Sequence, residues 1–167
     1  MTTVRPANAD DADAVGRVQV ETWRAAYRGL LPDEAIARFD VAARQQMWRE
    51  VLSREPRPRS ATFVAELDGE VVGFASVGAC REEPDAGELY SIYLHPTCWD
   101  RGIGRALLER AEESMRSAGF AKAILWVMQG NERGERFYRA GGWEHDGRKL
   151  DTFQGTEVAE LRYRKDL

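Results

Sequence analysis

Apolar residues recur every three or four positions in the first third of the chain, which is the spacing of one helix face. The stripe of the first helix consists of Val15, Val18, Thr22 with Trp23, and Ala26. A short strand over residues 3–5 precedes this helix. We expect Asn8, or alternatively Asp10, to cap the helix, because a short polar side chain can accept hydrogen bonds from its first free N–H groups. Pro32 interrupts the pattern, and a second helical stretch runs from about 41 to 54.

The pattern changes to alternation after residue 60, which indicates strands. Residues 61–67 and 70–77 predict a hairpin around Asp68-Gly69, since that dipeptide suits a tight turn with positive φ. Residues 87–95 are apolar on both faces and predict a central strand. The remaining predicted elements are a helix over 105–118, a strand over 121–128, a helix over 131–140, and strands over 143–148 and 157–163. The order β-αα-βββ-α-β-α-ββ predicts an α/β (α+β) fold, a mixed sheet with helices packed on it.

Composition narrows the class of protein. The chain has 167 residues, 43% of them hydrophobic and 31% charged, which predicts a single domain over 1–167. Its 24 basic and 28 acidic side chains give a net charge of −4, which argues against nucleic acid as a partner. No apolar run reaches the length of a membrane span, and the first residues lack the apolar segment of a signal peptide, so neither a membrane nor export is expected.

The cysteines and histidines indicate a reducing location and no metal site. Two cysteines, Cys80 and Cys98, do not make a disulfide framework, which fits a reducing, cytoplasmic location. They do not combine with His95 and His145 into the spacing of a metal site, so we expect no metal.

Residues 99–106 carry the clearest chemical signal, because they follow a buried strand directly and open a helix. The first N–H groups of a helix have no internal partner, and they attract anions. Gly102 and Gly104 lack a Cβ, so a ligand can approach the backbone, and Arg101 and Arg105 add positive charge. These features predict a pyrophosphate site. A dinucleotide fingerprint would need a glycine at Leu107, and a P-loop would need Lys-Ser/Thr after Gly104, so neither is expected.

The run Arg101-Gly102-Ile103-Gly104-Arg105-Ala106 resembles the acyl-coenzyme A pyrophosphate loop of the GNAT superfamily of N-acetyltransferases. Residues 131–143, which contain Asn131, Phe137-Tyr138 and Gly142-Trp143, are similar to that family's "N…FY…GF" segment, with Trp143 in place of the usual phenylalanine. Residues 23–32 resemble a run common in one bacterial branch. The resemblance covers nearly the whole chain. It implies a mostly antiparallel sheet of six or seven strands with helices on both faces, acetyl-coenzyme A as cosubstrate, and acetyl transfer to a primary amine of a small molecule or peptide.

The resemblance also implies roles for individual residues. The coenzyme-binding set is Ile92, Tyr93, Leu94, Arg101, Gly102, Ile103, Gly104, Arg105, Ala106, Asn131 and Tyr138. The backbone of the first three would pair with the pantetheine arm, as an added strand does. Tyr138 would stand near the sulfur and protonate the leaving thiolate. By the residues alone, Asn131 is also a good helix N-cap and Tyr138 an ordinary core tyrosine.

Glu88 is a carboxylate on an otherwise apolar strand. It lies either at a solvent-facing strand start or in a cleft, where it would deprotonate the amine directly or through water. The acceptor-binding candidates are Trp23, Tyr27, Glu88 and Tyr90, and core or rim packing is the alternative for the first two. The sequence names no acceptor and leaves a homodimer open.

Two other functions stay open at this point. One is a module that binds or senses acyl-coenzyme A without turnover, and the other is a nucleotide-dependent enzyme that uses the glycine loop. The tyrosine at position 138 favours the acetyltransferase.

Overall fold

Seven strands form one sheet in the computed structural model, which describes all 167 residues. They are β1 (Thr2–Pro6), β2 (Ala61–Leu67), β3 (Glu70–Ala79), β4 (Gly87–Leu94), β5 (Lys122–Met128), β6 (Glu144–Phe153) and β7 (Thr156–Asp166). Their order across the sheet is β1-β2-β3-β4-β5-β7-β6. Every neighbouring pair is antiparallel except β4 and β5, which run parallel. The predicted mixed, mostly antiparallel sheet is confirmed.

Five α-helices accompany the sheet. They are α1 (Ala12–Ala26), α2 (Asp33–Ala37), α3 (Val41–Leu52), α4 (Ile103–Ser117) and α5 (Glu132–Ala140). Asn8 caps the 3-10 turn that leads into α1, and Asp11 completes a capping box with it, so of the two predicted caps it is Asn8 that is used. None of the helices is long and apolar enough to cross a bilayer.

The core lies on both faces of the sheet because side chains alternate along each strand. On one face, α1 and α3 pack on β2 and β3 through a buried cluster of Ala12, Val15, Val18, Trp48, Val64 and Phe74. α1 and α3 approach closely at Gly16, where a Cβ would lie 2.7 Å from the backbone nitrogen of Gln45. On the other face, the apolar stripe of α4 packs on the remaining strand residues, with Leu107, Leu108, Ala111 and Met115 at its centre. Helices on both faces were predicted and are confirmed.

The pairing between β4 and β5 is short, and this positions the site. The two strands pair only at Gly87↔Ala123 and Glu88↔Ile124 and diverge beyond these positions. A bulge lies at the point of divergence, because Leu89 and Ser91 pair with consecutive residues of β3 and leave Tyr90 between them unpaired. The Tyr90 hydroxyl donates to the carbonyl of Ala79. The second half of β4 therefore has a free edge toward β5.

The last hairpin differs most from the sequence prediction. Its strands are longer than the predicted 143–148 and 157–163, and Trp143 is a buried residue that precedes β6 rather than its first member. β6 is an edge strand with mostly exposed residues, so it carries no apolar alternation for the sequence to show. A two-residue turn joins the strands at Gln154 and Gly155, which both have positive φ.

Candidate active site

A cleft of about 940 Å³ opens where β4 and β5 diverge. Its walls come from α1, β4, the start of α4, β5, α5 and the β6–β7 hairpin. Most of the residues singled out in the sequence line it, namely Trp23, Tyr27, Glu88, Tyr90, Ile92, Tyr93, Leu94, Gly102, Gly104, Arg105, Asn131 and Tyr138. Arg101, Ile103 and Ala106 do not. The fold thus brings together side chains that are more than one hundred residues apart in the sequence.

The N-terminus of α4 stands at one end of this cleft. Gly102 is its N-cap residue with φ +80°, and Asp100 before it also has positive φ, at 60°. No side chain caps the helix, so its first N–H groups stay free for a ligand. Arg105 lines the cleft, whereas Arg101 is exposed outside it. The loop therefore offers backbone donors and one lining arginine to an anion.

The two loop glycines have different reasons to be glycine. A Cβ on Gly102 would meet nothing within 4 Å, so its positive φ and open surroundings agree with a ligand-facing role. A Cβ on Gly104 would lie 3.3 Å from Cε1 of Phe137. The missing Cβ of Gly104 thus makes room for the packing of α4 against the Phe137 ring, and the approach of a ligand at Gly104, which lines the cleft, stays a prediction.

Two arginines of α5 reach the same region, and the sequence analysis did not select them. Arg133 and Arg136 line the cleft. The Arg133 guanidinium stacks 4.3 Å from the ring centre of Trp99 and donates to Asp100 at 3.0 Å. Their three-residue spacing, which puts both on one side of α5, is the signal that would have found them.

The free edge of β4 has a defined backbone orientation. The N–H of His95 donates to Val72 on the β3 side, so residue 94 faces the opposite way, and so does residue 92. The Leu94 carbonyl accepts from Trp99 Nε1 at 2.8 Å and from Thr22 Oγ1 at 3.4 Å, which fits this direction. The N–H groups of Ile92 and Leu94 therefore face the opening between β4 and β5.

Tyr138 is held by packing on α5. Its ring lies 5.4 Å from that of Phe137, 6.5 Å from Trp143 and 6.3 Å from Tyr163, measured between ring centres. Burial raises the pKa of Tyr138, and the nearby Tyr93 adds to the shift, so the phenol stays protonated at neutral pH. Asn131 caps α5 by accepting from the N–H of Gly134 at 3.0 Å. The cap explains Asn131 structurally while leaving it in the cleft wall.

Glu88 lies in the wall near the junction of β4 and β5, and it is only 3% exposed. Its carboxylate accepts from Arg81 Nη2 at 2.6 Å, from Arg81 Nε at 3.4 Å and from the Arg81 backbone N–H at 3.2 Å. This bonding raises the pKa of Arg81. Of the two sequence alternatives, the solvent-facing strand start is wrong, because Glu88 is buried and ion-paired in the cleft.

Trp23 and Tyr27 belong both to the core and to the cleft wall. Both are buried, at 4% and 7% exposure, and belong to a core cluster with Phe39 and Met128, yet both also line the cleft. The Nε1 of Trp23 is buried with no hydrogen-bond partner. Core packing and a place in the cleft wall are thus compatible for this pair, and their binding of an acceptor stays a prediction.

Part of the cleft wall consists of residues that the sequence analysis missed. They are Trp126, Lys149, Asp151, Thr152, Phe153 and Glu160 from β5, β6 and β7. Lys149 stacks on Trp126, with Nζ 4.1 Å from the ring centre, and the Phe153 ring lies 5.1 Å from that of Trp23. These side chains make this part of the wall both aromatic and charged.

Comparison with known proteins identifies the family to which this chain belongs. Residues 20–142 match the acetyltransferase (GNAT) family. The uncharacterized N-acetyltransferase YuaI of Bacillus subtilis is 34% identical over 134 residues, which are 78% of this chain and 74% of YuaI. Spermidine N(1)-acetyltransferase of Thermoplasma acidophilum is 24% identical over 163 residues, 96% of each chain. The crystal structure of the PaiA N-acetyltransferase from T. acidophilum in complex with coenzyme A has a TM-score of 0.73 at 22% identity, over 100% of this chain and 99% of that one. The family match and the YuaI relative agree with the motifs, and the chain belongs to the GNAT family of acetyltransferases.

Proposed function

We propose that this chain transfers the acetyl group of acetyl-coenzyme A to a primary amine and that Tyr138 protonates the sulfur that departs. Membership of the family makes the chain an acetyl-coenzyme A-dependent N-acetyltransferase. The proposal concerns the residues that do the work and the kind of amine. The main observation behind the proposal is the cleft between β4 and β5. It is lined by the uncapped N-terminus of α4, by the unpaired edge of β4 and by Tyr138.

The pyrophosphate fits the start of α4. Uncapped N–H groups and the helix dipole attract phosphate oxygens, and the open space at Gly102 lets a phosphate reach the backbone. Arg105 adds a positive charge at the same place, and Arg133 and Arg136 add two from α5. The relative of known structure, PaiA, is described as a complex with coenzyme A.

The pantetheine arm fits the free edge of β4. Its amide groups are spaced along an extended chain, so the N–H groups of Ile92 and Leu94 can bond them as they would a neighbouring strand. The volume of about 940 Å³ is at the upper end of what small-molecule sites span, as a long cofactor and an acceptor together require.

The residues present also supply the chemistry of the transfer. Negative charge develops on the thioester oxygen during attack, and a backbone N–H of β4 would stabilise it in a site screened from water. Tyr138 keeps its proton because burial raises its pKa, and it can give that proton to the sulfur. A carboxylate at the acceptor end must first take a proton from the amine, since an alkylammonium has a pKa of about 10.

The acceptor would lie beside Tyr90, Trp126, Asp151 and Glu160 in the cleft wall. Lys149 and Arg81 already cover the rings of Trp126 and Tyr90, so a cationic amine would be attracted by the charge of Glu160, which makes no ion pair. A relative over 96% of the chain is named as a spermidine acetyltransferase. These points support a small cationic amine, with the free N-terminus of a peptide as the alternative acceptor.

A binding assay and a turnover assay test this function together. At one hundred times its Kd, acetyl-coenzyme A should stabilise the fold by about 2.7 kcal/mol in a thermal shift, and ATP and NAD should not. Gly102→Ala should weaken this stabilisation, whereas Gly69→Ala, a matched control with positive φ and open surroundings in the β2–β3 turn outside the cleft, should not. Thiol release should require an added amine.

The outcomes separate the functions. A larger shift with ATP than with acetyl-coenzyme A would contradict the coenzyme site. Coenzyme binding without thiol release from any of spermidine, aminoglycosides, amino acids and an N-terminal alanine peptide would favour a binding or sensing module.

A further inference from the structure

Glu88, the carboxylate that the sequence suggests as the base, is already hydrogen-bonded to Arg81. Both oxygens of Glu88 accept hydrogen bonds from Arg81, and the closest contact is 2.6 Å. A proton placed on Glu88 would cancel the negative charge that these three donors stabilise. Glu88 is buried, at 3% exposure, while the Arg81 side chain is 72% exposed, so the cost lies in weakening the charge-assisted hydrogen bonds to the carboxylate. Glu88 is therefore suited to hold Arg81 at the cleft wall and poorly suited to receive a proton.

A second carboxylate lies across the opening. Glu160 on β7 pairs in register with Met128 on β5 and with Lys149 on β6, and all three side chains line the cleft. The side chain is half-buried. Lys149 makes its ion pairs with Glu82 at 3.5 Å and Asp151 at 3.7 Å, which leaves Glu160 without one. Glu160 is thus a cleft carboxylate without an ion-pair partner, so no cation has to be displaced when it takes a proton.

Glu160 lines the same cleft as Tyr93 and Tyr138. Burial is the main cause that raises the pKa of Tyr93 and of Tyr27, and the charge of Glu160 adds to both shifts. Tyr93 belongs to the β4 segment whose N–H groups face the opening. Glu160 and Tyr138 therefore line one cleft from different elements, Glu160 from β7 and Tyr138 from α5.

The charged neighbours of Glu160 also act on its proton affinity. Burial raises the pKa of Glu160, and the like charge of Asp151 raises it further, while Lys149 and Arg81 lower it. The titratable groups that face it are Lys149 and Asp151 from β6, Tyr27 from α1, Tyr93 from β4 and Arg81 from the segment after β3. A carboxylate whose pKa is shifted toward neutrality is a better general base at neutral pH.

We infer that Glu160, and not Glu88, takes the proton from the acceptor ammonium, an inference that rests on the proposed acetyl transfer. One N–H bond of the ammonium breaks, its proton goes to the Glu160 carboxylate, and the nitrogen lone pair becomes free. The nitrogen then forms a bond to the thioester carbon, and the carbon–sulfur bond breaks with its electron pair on sulfur. Tyr138 gives sulfur a proton and recovers one from the new amide nitrogen. Glu160 releases its proton to solvent, so one proton leaves per turnover.

Three glutamate-to-glutamine variants of the full chain test the assignment. Glu160→Gln is the test, Glu88→Gln compares the rival carboxylate, and Glu157→Gln on the exposed part of the same strand is the matched control. Each is assayed by thiol release from acetyl-coenzyme A with spermidine and with an N-terminal alanine peptide, over a range of pH. The acceptor used is the one that the wild-type chain acetylates.

Glu160→Gln should lower kcat/KM on the order of 10²–10⁴-fold, the usual contribution of a general base. Its remaining rate should rise with pH as the amine itself deprotonates, and the acidic limb set by a carboxylate should disappear. Glu88→Gln should keep that limb and lower the thermal stability, and Glu157→Gln should match wild type. An acidic limb that survives in Glu160→Gln and is lost in Glu88→Gln would overturn the assignment. If wild type acetylates neither amine while it binds acetyl-coenzyme A, the proposed function fails and the inference fails with it.

Discussion

Replacing Tyr138 by phenylalanine removes one hydroxyl and keeps the ring. The ring contacts with Phe137, Trp143 and Tyr163 survive the change, so the fold should keep its stability to within about 1 kcal/mol, the net value of one hydrogen bond. Coenzyme affinity should hardly change, because the proton transfer occurs only in the transition state. The effect should therefore appear in the chemical step.

The expected magnitude follows from the role of a positioned acid. Loss of such a group lowers the rate on the order of 10²–10⁴-fold, which corresponds to about 2.7–5.4 kcal/mol of transition-state stabilisation. Burial raises the pKa of Tyr138 above its ordinary value of 10.0, so the phenol is protonated and stays so as pH rises through the neutral range. The wild-type rate should consequently show no falling limb from Tyr138 between about pH 6 and 9.

Single-turnover rates with pre-bound acetyl-coenzyme A are the appropriate measurement, because slow product release could hide a change in the chemical step. The variant's coenzyme affinity and thermal stability serve as controls. A Tyr138→Phe chain that retains the wild-type single-turnover rate would refute the acid role and leave Tyr138 as a packing residue.

Two further predictions concern the stability of the scaffold. Asp11 accepts from Arg5 at 2.8 and 2.9 Å and from Asn8 at 2.8 Å, so Asp11→Asn should cost about 1.5–3 kcal/mol at neutral pH by urea unfolding. The hydrogen bonds from Arg5 lower the pKa of Asp11, so its stabilisation is present above the unfolded value of 3.8 and is lost as pH falls through the folded value. A difference in stability between wild type and variant that does not narrow as the pH falls below 3.8 would contradict this. Trp143→Phe removes the 2.9 Å bond from Nε1 to buried Glu112 and should cost about 1–3 kcal/mol in the same assay, and an unchanged unfolding midpoint would show that the bond contributes nothing.

The sequence predicted the fold well because its main elements carry strong periodic patterns. The stripe of α4 and the two-sided apolar strand around Leu89 are examples, and both are confirmed. α2 was missed because five residues are too short for a periodic pattern. The sequence predicted Trp143 as the first residue of a strand, but it precedes β6. Its indole N–H is held by Glu112, whose other oxygen accepts from Lys165 at 2.8 Å.

The site was predicted in part. Family motifs led to Gly102, Arg105 and Tyr138, which line the cleft, and their roles stay predictions until they are measured. Glu160 could not be selected, because its place depends on β7 inserting between β5 and β6, an order that chain sequence does not show. Gly104 was selected from the sequence, but the sequence does not show what its missing Cβ makes room for. A glycine beside a ligand and a glycine packed against a ring, as Gly104 is against Phe137, look the same in sequence.

The short pairing of β4 and β5 has a consequence for where unpaired strand edges lie. Unpaired strand edges are normally a risk, because they template pairing with other chains and so promote aggregation. Here the edge at Ile92 and Leu94 lies inside the sheet, seven strands wide, rather than at its rim. The helices and the β6–β7 hairpin wall this opening. The fold therefore keeps a backbone edge available to a ligand while the two rims of the sheet are formed by other strands, β1 and β6.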